Sequence, residues 1–156
     1  MDRKRQRRSD CPINFALQAF GDAWSLLIIR DIVYFGKRTY SEFLASEEGI
    51  ATNVLAGRLA WLEQNGILTK TPDSADKRKE LYFLTEKGLD LIPILLETAA
   101  WSAKHDPQTG APPEWIALVA ADKENITRLI RDTVRNGGSI FAGPASVIAQ
   151  LSGSQG

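Results

Sequence analysis

The chain has 156 residues, 44% hydrophobic and 24% charged, with 19 basic side chains against 19 acidic ones. That length supports one domain with its own core and not two. Zero net charge speaks against nucleic-acid binding if taken alone, so the placement of charge matters more than its sum.

Cys11 is the only cysteine, which rules out an internal disulfide framework and fits a reducing cytoplasm. No apolar run approaches the roughly 18 residues a membrane span needs. The basic stretch Arg3–Arg8 leads into no apolar segment, so no signal peptide and no membrane partner are expected. Positive charge gathers in two places: Arg3, Lys4, Arg5, Arg7 and Arg8 at the start, and Lys77, Arg78 and Lys79 further on. Residues 1–10 have nothing apolar to bury and read as a disordered basic tail, either simply solvated or touching phosphate without reading sequence.

Ser9 or Asp10 is a candidate cap for a first helix, with Pro12 tolerated in its first turn and Gly21 as its stop. Phe15, Ala16, Ala19 and Phe20 fall at helical spacing. A second helix is predicted from Ala23 to Phe35, where Trp24, Leu27, Ile28, Asp31 and Ile32 recur at i, i+3, i+4, ended by Gly36. Thr39 or Ser41 then caps a short third helix carrying Phe43 and Leu44, and Glu42 stands at the capping-box distance from Thr39. Glu47–Gly49 makes a turn.

The fourth helix is predicted from Ala51 to Asn65, ended by Gly66. Leu55, Leu59 and Leu62 form its apolar face. The opposite face carries Asn53, Ala56, Gly57 and Ala60, with Thr52 at its shoulder. Small and hydrogen-bonding residues let a helix lie deep in a major groove, where Asn53 suits adenine and Thr52 suits a base or a phosphate. Arg58, on the flank, is placed to reach phosphate or an acidic neighbour. The alternative is that small residues allow close packing on another protein helix.

Two short strands follow, Ile67–Thr71 and Glu80–Leu84, joined by PDSADKR with Pro72-Asp73-Ser74 as turn chemistry. Tyr82 and Leu84 are expected on one face, Leu81 and Phe83 on the other. Lys77, Arg78 and Lys79 at the hairpin tip, with Arg38 and Thr39 on the approach to the short helix, are the candidate DNA-contacting residues of the wing and its approach. Such a tip either grips a DNA backbone or simply keeps the hairpin soluble.

Thr85 caps a predicted fifth helix over Glu86–His105, which Pro93 should kink. Its apolar residues, from Leu89 to Trp101, cover more than one stripe, and a second protomer is the economical cover for the excess. DPQTGAPP, residues 106–113, reads as a linker. Residues 114–135 read as one or two helices with a break near Asp122, 139–151 as a short apolar tail, and 152–156 as disordered. Trp115, with Trp101 and Phe141, is expected to pack, to cover a dimer seam, or to line an effector pocket. The organisation is thus a basic tail 1–10, a winged helix-turn-helix domain 11–105, and a linker with helical extension 106–156. The fold class is mainly α with a small β-hairpin.

Taken in order, Cys11-Pro12-Ile13, GDAWSLLIIRD from Gly21 to Asp31, Arg38–Phe43, Ile50, Leu55, Arg58-Leu59, Leu62-Glu63, Gly66, YFLTEKG from Tyr82 to Gly88, and Trp101 resemble the HxlR-type winged-helix regulators of bacteria. The resemblance covers about residues 11–105 and leaves 111–156 unexplained. It implies a homodimer built from the first and fifth helices that binds operator DNA with paired recognition helices and wings. It also implies a sensor role for Cys11 in some members, against which stands a small residue packed at the dimer interface. With no second cysteine, a switch there needs an inter-subunit bond or an adduct with a small molecule.

Enzyme chemistry has little support. His105 is the only histidine, stands at a predicted helix end and has no nucleophile at a useful spacing. Asp73 and Asp76 read as turn formers, so no metal is expected. Gly137-Gly138 and Gly143-Pro144 lack a phosphate-loop context, and no cofactor is expected. The expected function is a sequence-specific transcriptional regulator, a homodimer on double-stranded DNA at a pseudo-palindromic operator, with a small molecule or an oxidant as candidate signal. The alternative is a winged-helix protein–protein module that never touches DNA.

Overall fold

A computed structural model describes residues 7–153. Arg3, Lys4 and Arg5 of the basic tail, and residues 154–156, lie outside the described residues. The first helix, α1 (Pro12–Phe20), starts from Cys11 as N-cap, later than the Ser9 or Asp10 start expected from sequence. Proline is favoured at the first helical position because its missing N–H is not needed there, and that fixes the cap at the residue before it. Ser9 still contributes, since its hydroxyl accepts the Cys11 N–H at 3.3 Å. No residue of α1 is buried.

α2 (Ser25–Phe35) starts two residues later than its periodicity suggests. The reason is Asp22, whose carboxylate accepts the Trp24 and Ser25 N–H groups, both at 3.0 Å, and the Ser25 hydroxyl at 2.6 Å. This side chain supplies the partners that the first turn lacks. Ile28, Ile29, Ile32 and Val33 of α2 form the centre of the core. Gly36 closes the helix at φ 70°, a left-handed conformation that glycine adopts without a Cβ clash.

α3 (Tyr40–Leu44) carries the expected capping box between Thr39 and Glu42, and α4 (Thr52–Gln64) buries Leu55, Leu59 and Leu62 as predicted. Gly66 at φ 70° turns the chain into an antiparallel hairpin, β1 (Leu68–Pro72) and β2 (Glu80–Leu84), in which Leu68 faces Leu84 and Lys70 faces Tyr82. The predicted fifth helix is two helices, α5 (Glu86–Leu89) and α6 (Ile92–His105), parted at Asp90-Leu91. Pro93 does not kink a continuous helix. It occupies the first turn of α6, where its missing N–H costs nothing.

The extension forms α7 (Pro113–Ala121), α8 (Lys123–Arg135) and α9 (Val147–Gly153). The predicted break at Asp122 is present. The second half of the apolar tail is α9, which runs on through Ser152 and Gly153, two residues expected to be disordered; its Val147 is fully buried and its first turn uses the Ser146 hydroxyl to accept the Ala149 N–H at 3.1 Å. Trp115, Val119, Ile126, Ile130, Val134, Ile140 and Val147 join the same buried cluster as α2 and α4. The extension also completes the end of α2. The Val33 and Tyr34 carbonyls, which the helix leaves without partners, accept the N–H groups of Ile140 at 2.9 Å and Phe141 at 3.0 Å. The proposed boundary at residue 106 therefore divides the chain but not the core. Among the described residues no single helix is long and apolar enough to cross a membrane.

Salt bridges hold α8 to α5. Glu86 accepts Arg135 Nε at 2.8 Å and Arg131 Nη2 at 2.9 Å, and Asp90 accepts Arg131 Nη1 at 2.6 Å. The Arg135 and then the Arg131 guanidinium hold the Glu86 pKa down to about 2 from the ordinary 4.5. A carboxylate with a depressed folded-state pKa stabilises the fold above its unfolded value and loses that contribution as pH falls through the folded one. Denaturant midpoints of wild type and Glu86→Gln should thus differ at neutral pH, and the gap should close between pH 4.5 and about 2. A gap that stays constant over that range would show that the clamp contributes nothing to stability.

Candidate nucleic-acid interface

The two faces of α4 differ completely. Leu55, Leu59 and Leu62 are buried, whereas Thr52, Asn53, Ala56, Gly57 and Ala60 are exposed together on the opposite side. A Cβ at Gly57 would meet nothing within 4 Å, so this face is open space. At about 1.5 Å of rise per residue, Asn53 to Ala60 spans roughly 10 Å, on the order of three base-pair steps. The Tyr40 hydroxyl of α3 donates to the Thr52 carbonyl at 3.0 Å, which fixes the start of α4 relative to the preceding helix.

A buried charge network sets the turn between α3 and α4. Asp31 is 2% exposed and meets Arg30 at 2.8 Å and Lys37 at 3.7 Å, and it accepts the Ser46 hydroxyl in a short hydrogen bond. Lys37 Nζ donates to Ser46 at 2.7 Å, and Arg30 reaches on to Glu48 at 2.7 Å. Burying a carboxylate is expensive unless opposite charges and hydrogen bonds surround it, and here they do. The result is a rigid connection between the core helix α2 and the loop that aims α4.

Of the basic residues singled out from sequence, two are committed to the fold. Arg58 forms an ion pair with Asp22 at 3.5 Å and lies over the Trp61 ring at 5.9 Å, so in the single chain it has the acidic neighbour that one of its two readings offered. Burial works against the Asp22 carboxylate. The Ser25 hydroxyl, the Trp24 and Ser25 N–H groups and Arg58 nonetheless bring its pKa below the usual value. Arg38 is only 9% exposed. Its guanidinium donates to the Tyr82 carbonyl at 3.5 Å and the Gly138 carbonyl at 3.3 Å, and lies 4.9 Å from the Phe83 ring centre. Burial pushes its pKa down. The expected approach to DNA is corrected here: Arg38 points into the fold and locks the hairpin to the extension. Thr39 spends its hydroxyl on the capping box, accepting the Glu42 N–H at 3.3 Å and donating to Glu42 Oε1 at 2.9 Å.

At the hairpin tip Lys77 and Lys79 are exposed, while Arg78 is drawn to Asp76 at 3.1 Å. Asp73 and Asp76 are turn formers, accepting the Ala75 and Arg78 N–H groups respectively. Among the described residues no cluster of His, Cys, Asp and Glu could hold a metal. Arg7 pairs with Asp10 at 3.2 Å, and Arg8 donates to Asn14 Oδ1 at 2.6 Å. Cys11 is exposed in the single chain, not buried.

An open polar and small-residue face on the second helix of a helix-turn-helix, followed by a basic-tipped hairpin, is the arrangement of a winged helix. The family model described as HxlR-like helix-turn-helix matches residues 19–109. The chain belongs to this family. It is 35% identical over 98 residues to an uncharacterized HTH-type transcriptional regulator of Mycobacterium tuberculosis, covering 63% of this chain and 61% of that relative. The HxlR-like chain thus spans about three fifths of the length of the curated relatives it matches first. It is also 33% identical over 93 residues to the HTH-type transcriptional regulator YodB of Bacillus subtilis, 59% of this chain and 82% of that one. The structure of reduced YodB aligns with a TM-score of 0.52 at 30% identity, over 65% of this chain and all of YodB. The structure of PA1607 aligns with a TM-score of 0.61 at 32% identity, over 68% of this chain and 74% of that one.

The HxlR-like match ends before α7, so the role of Arg38 in joining the hairpin to residue 138 had no local signal. Its partner carbonyl lies 100 residues away.

Proposed function

We propose that this HxlR-like protein is a sequence-specific DNA-binding transcriptional regulator that acts as a homodimer on a pseudo-palindromic operator. The observation that carries the reading is the exposed face Thr52, Asn53, Ala56, Gly57 and Ala60, opposite a leucine face that is fully packed. A Cβ at Gly57 would meet open space, and small residues on this face let the helix backbone come close to the base edges of a major groove. Asn53 reads base edges and Thr52 reads a base or phosphate, while Lys77, Arg78 and Lys79 grip the backbone. Arg38 and Arg58 support this surface without touching DNA.

The dimer reading is supported by α1 and α6. Ile13, Phe15 and Leu17 are 70%, 56% and 53% exposed, and Trp101 is 67% exposed, with the His105 ring centre 4.9 Å away and tilted at 44°. Apolar side chains left this open mark a surface that another protein surface covers. A two-fold dimer places two recognition helices on half-sites about one helical turn apart, or a multiple of it.

Gel shifts with promoter fragments from the host genome test both parts. The expected result is two chains per operator, with affinity that falls steeply with salt. Asn53→Ala should relax sequence preference, whereas Lys77→Ala or Arg78→Ala should weaken binding to all sequences alike. No preference for any fragment over random DNA at moderate salt would instead favour a winged-helix protein–protein module.

A further inference from the structure

The wing is a two-stranded hairpin, too small to fix its own orientation, so whatever grips β2 decides where the basic tip points. Arg38 grips it twice. Its carbonyl accepts the Tyr82 N–H at 2.8 Å, and its guanidinium donates to the Tyr82 carbonyl and lies against the Phe83 ring. The Glu42 carboxylate is spent on the Arg38 and Thr39 N–H groups and the Thr39 hydroxyl, so carbonyl oxygens hold the buried charge. One of these is the Gly138 carbonyl at 3.3 Å, well past residue 109 where the family match ends. A buried guanidinium is costly without such partners, so Arg38 must follow that carbonyl wherever it sits.

The Gly138 carbonyl has little room to drift. The Gly138 N–H donates to the Thr133 carbonyl at 2.8 Å, and a Cβ on Gly138 would stand 2.8 Å from Thr133 Cγ2 and 3.1 Å from the Thr133 oxygen. Thr133 is buried, and its hydroxyl accepts Gln150 Nε2 of α9 at 2.9 Å, which holds the methyl against residue 138. A chain of contacts thus runs from α9 through Thr133, Gly138 and Arg38 to β2.

We propose that Arg38 is a positioning residue through which residues 133–138 of the extension aim the wing, so that the grip of Lys77 and Lys79 on a DNA backbone depends on the Gly138 carbonyl. The use made of that aim rests on the regulator reading. The tip lies about four residues beyond Tyr82, roughly 13 Å along the strand, so a tilt of about 15° at the junction moves it by roughly 3 Å, the length of a lysine–phosphate hydrogen bond.

Gly138→Ala leaves Arg38 in place and forces only the loop to move, whereas Arg38→Lys keeps the charge but loses the fork that spans two carbonyls. Hydrogen exchange without DNA tests the coupling. The Tyr82 amide should exchange about tenfold faster in both variants, with the amides of Leu55 and Leu59 on α4 unchanged. Adding Thr133→Ser to Gly138→Ala removes Cγ2 but keeps the hydroxyl for Gln150, and should bring Tyr82 back towards its wild-type rate. On operator DNA, Lys77→Ala should weaken the wild type yet add nothing to Gly138→Ala, whose plot of log affinity against log salt should be shallower by about one to two. A role in stability alone would lower the melting temperature and leave the Lys77 effect and the salt slope at wild-type values. That result would overturn the proposal, as would a Tyr82 amide that exchanges at the wild-type rate in both variants. If Gly138→Ala fails to melt cooperatively, Arg38→Lys carries both measurements. Failure of the wild type to prefer any operator sinks the regulator reading, and the exchange rates then decide the coupling alone.

Discussion

Ala56→Glu is expected to lower operator affinity about a hundredfold or more, on the order of 3 kcal/mol, without changing the melting temperature. Ala56 is exposed in the middle of α4, one turn from Asn53 and beside Gly57, with the leucine face turned away from it. A glutamate there adds a long side chain between the helix backbone and the base edges, and a negative charge against the phosphates. Stability should hold, because alanine and glutamate differ by only a few tenths of a kcal/mol in a solvent-exposed helix. Fluorescence anisotropy with an operator fragment, alongside a thermal melt, separates the two effects. Wild-type affinity in this variant would mean that α4 does not read DNA.

Ile130→Ala should cost about 3 kcal/mol of folding stability and lower the melting temperature by roughly 6–12 °C for a chain of this size. Ile130 is fully buried on α8, in the cluster that also contains α2. Truncation there removes a packed branched side chain and leaves a cavity that neighbouring helices cannot close without breaking other contacts. The substitution lies outside the family match, so it asks whether the extension folds with the winged helix or beside it. A single shifted transition by circular dichroism indicates one cooperative unit. A cost near zero, or a second transition at wild-type temperature, would show two.

Much of the candidate interface was legible from residue order. The Thr39–Glu42 capping box, the leucine spacing of α4, and the two stops Gly36 and Gly66 are local signals, satisfied by partners within a turn or two. Their energetics depend on neighbours in sequence, so sequence reveals them. The basic residues were less legible. Lys77, Arg38 and Arg58 share one charge, yet only the first is exposed, the second meets carbonyls at residues 82 and 138, and the third meets Asp22. A guanidinium suits a phosphate, a carboxylate or a helix-end carbonyl equally well, and which one it finds depends on what folding places within 3.5 Å.

The extension shows the same division. Its helices α7 and α8 follow from spacing, but α9 was masked by the glycine, proline and serine run ahead of it; α9 packs on α8, and the segment before it, Ile140 and Phe141, bonds to the end of α2, more than 100 residues earlier. By itself, the sequence determined the winged helix-turn-helix, the small-residue face of α4 and the basic hairpin tip, because periodicity, caps and turns are short-range. Only the tertiary structure decided that residues 111–153 complete the same core and that Arg38 joins the hairpin to the extension. Those outcomes depend on long-range packing, where a carbonyl or a ring becomes a partner only once the chain has closed on itself.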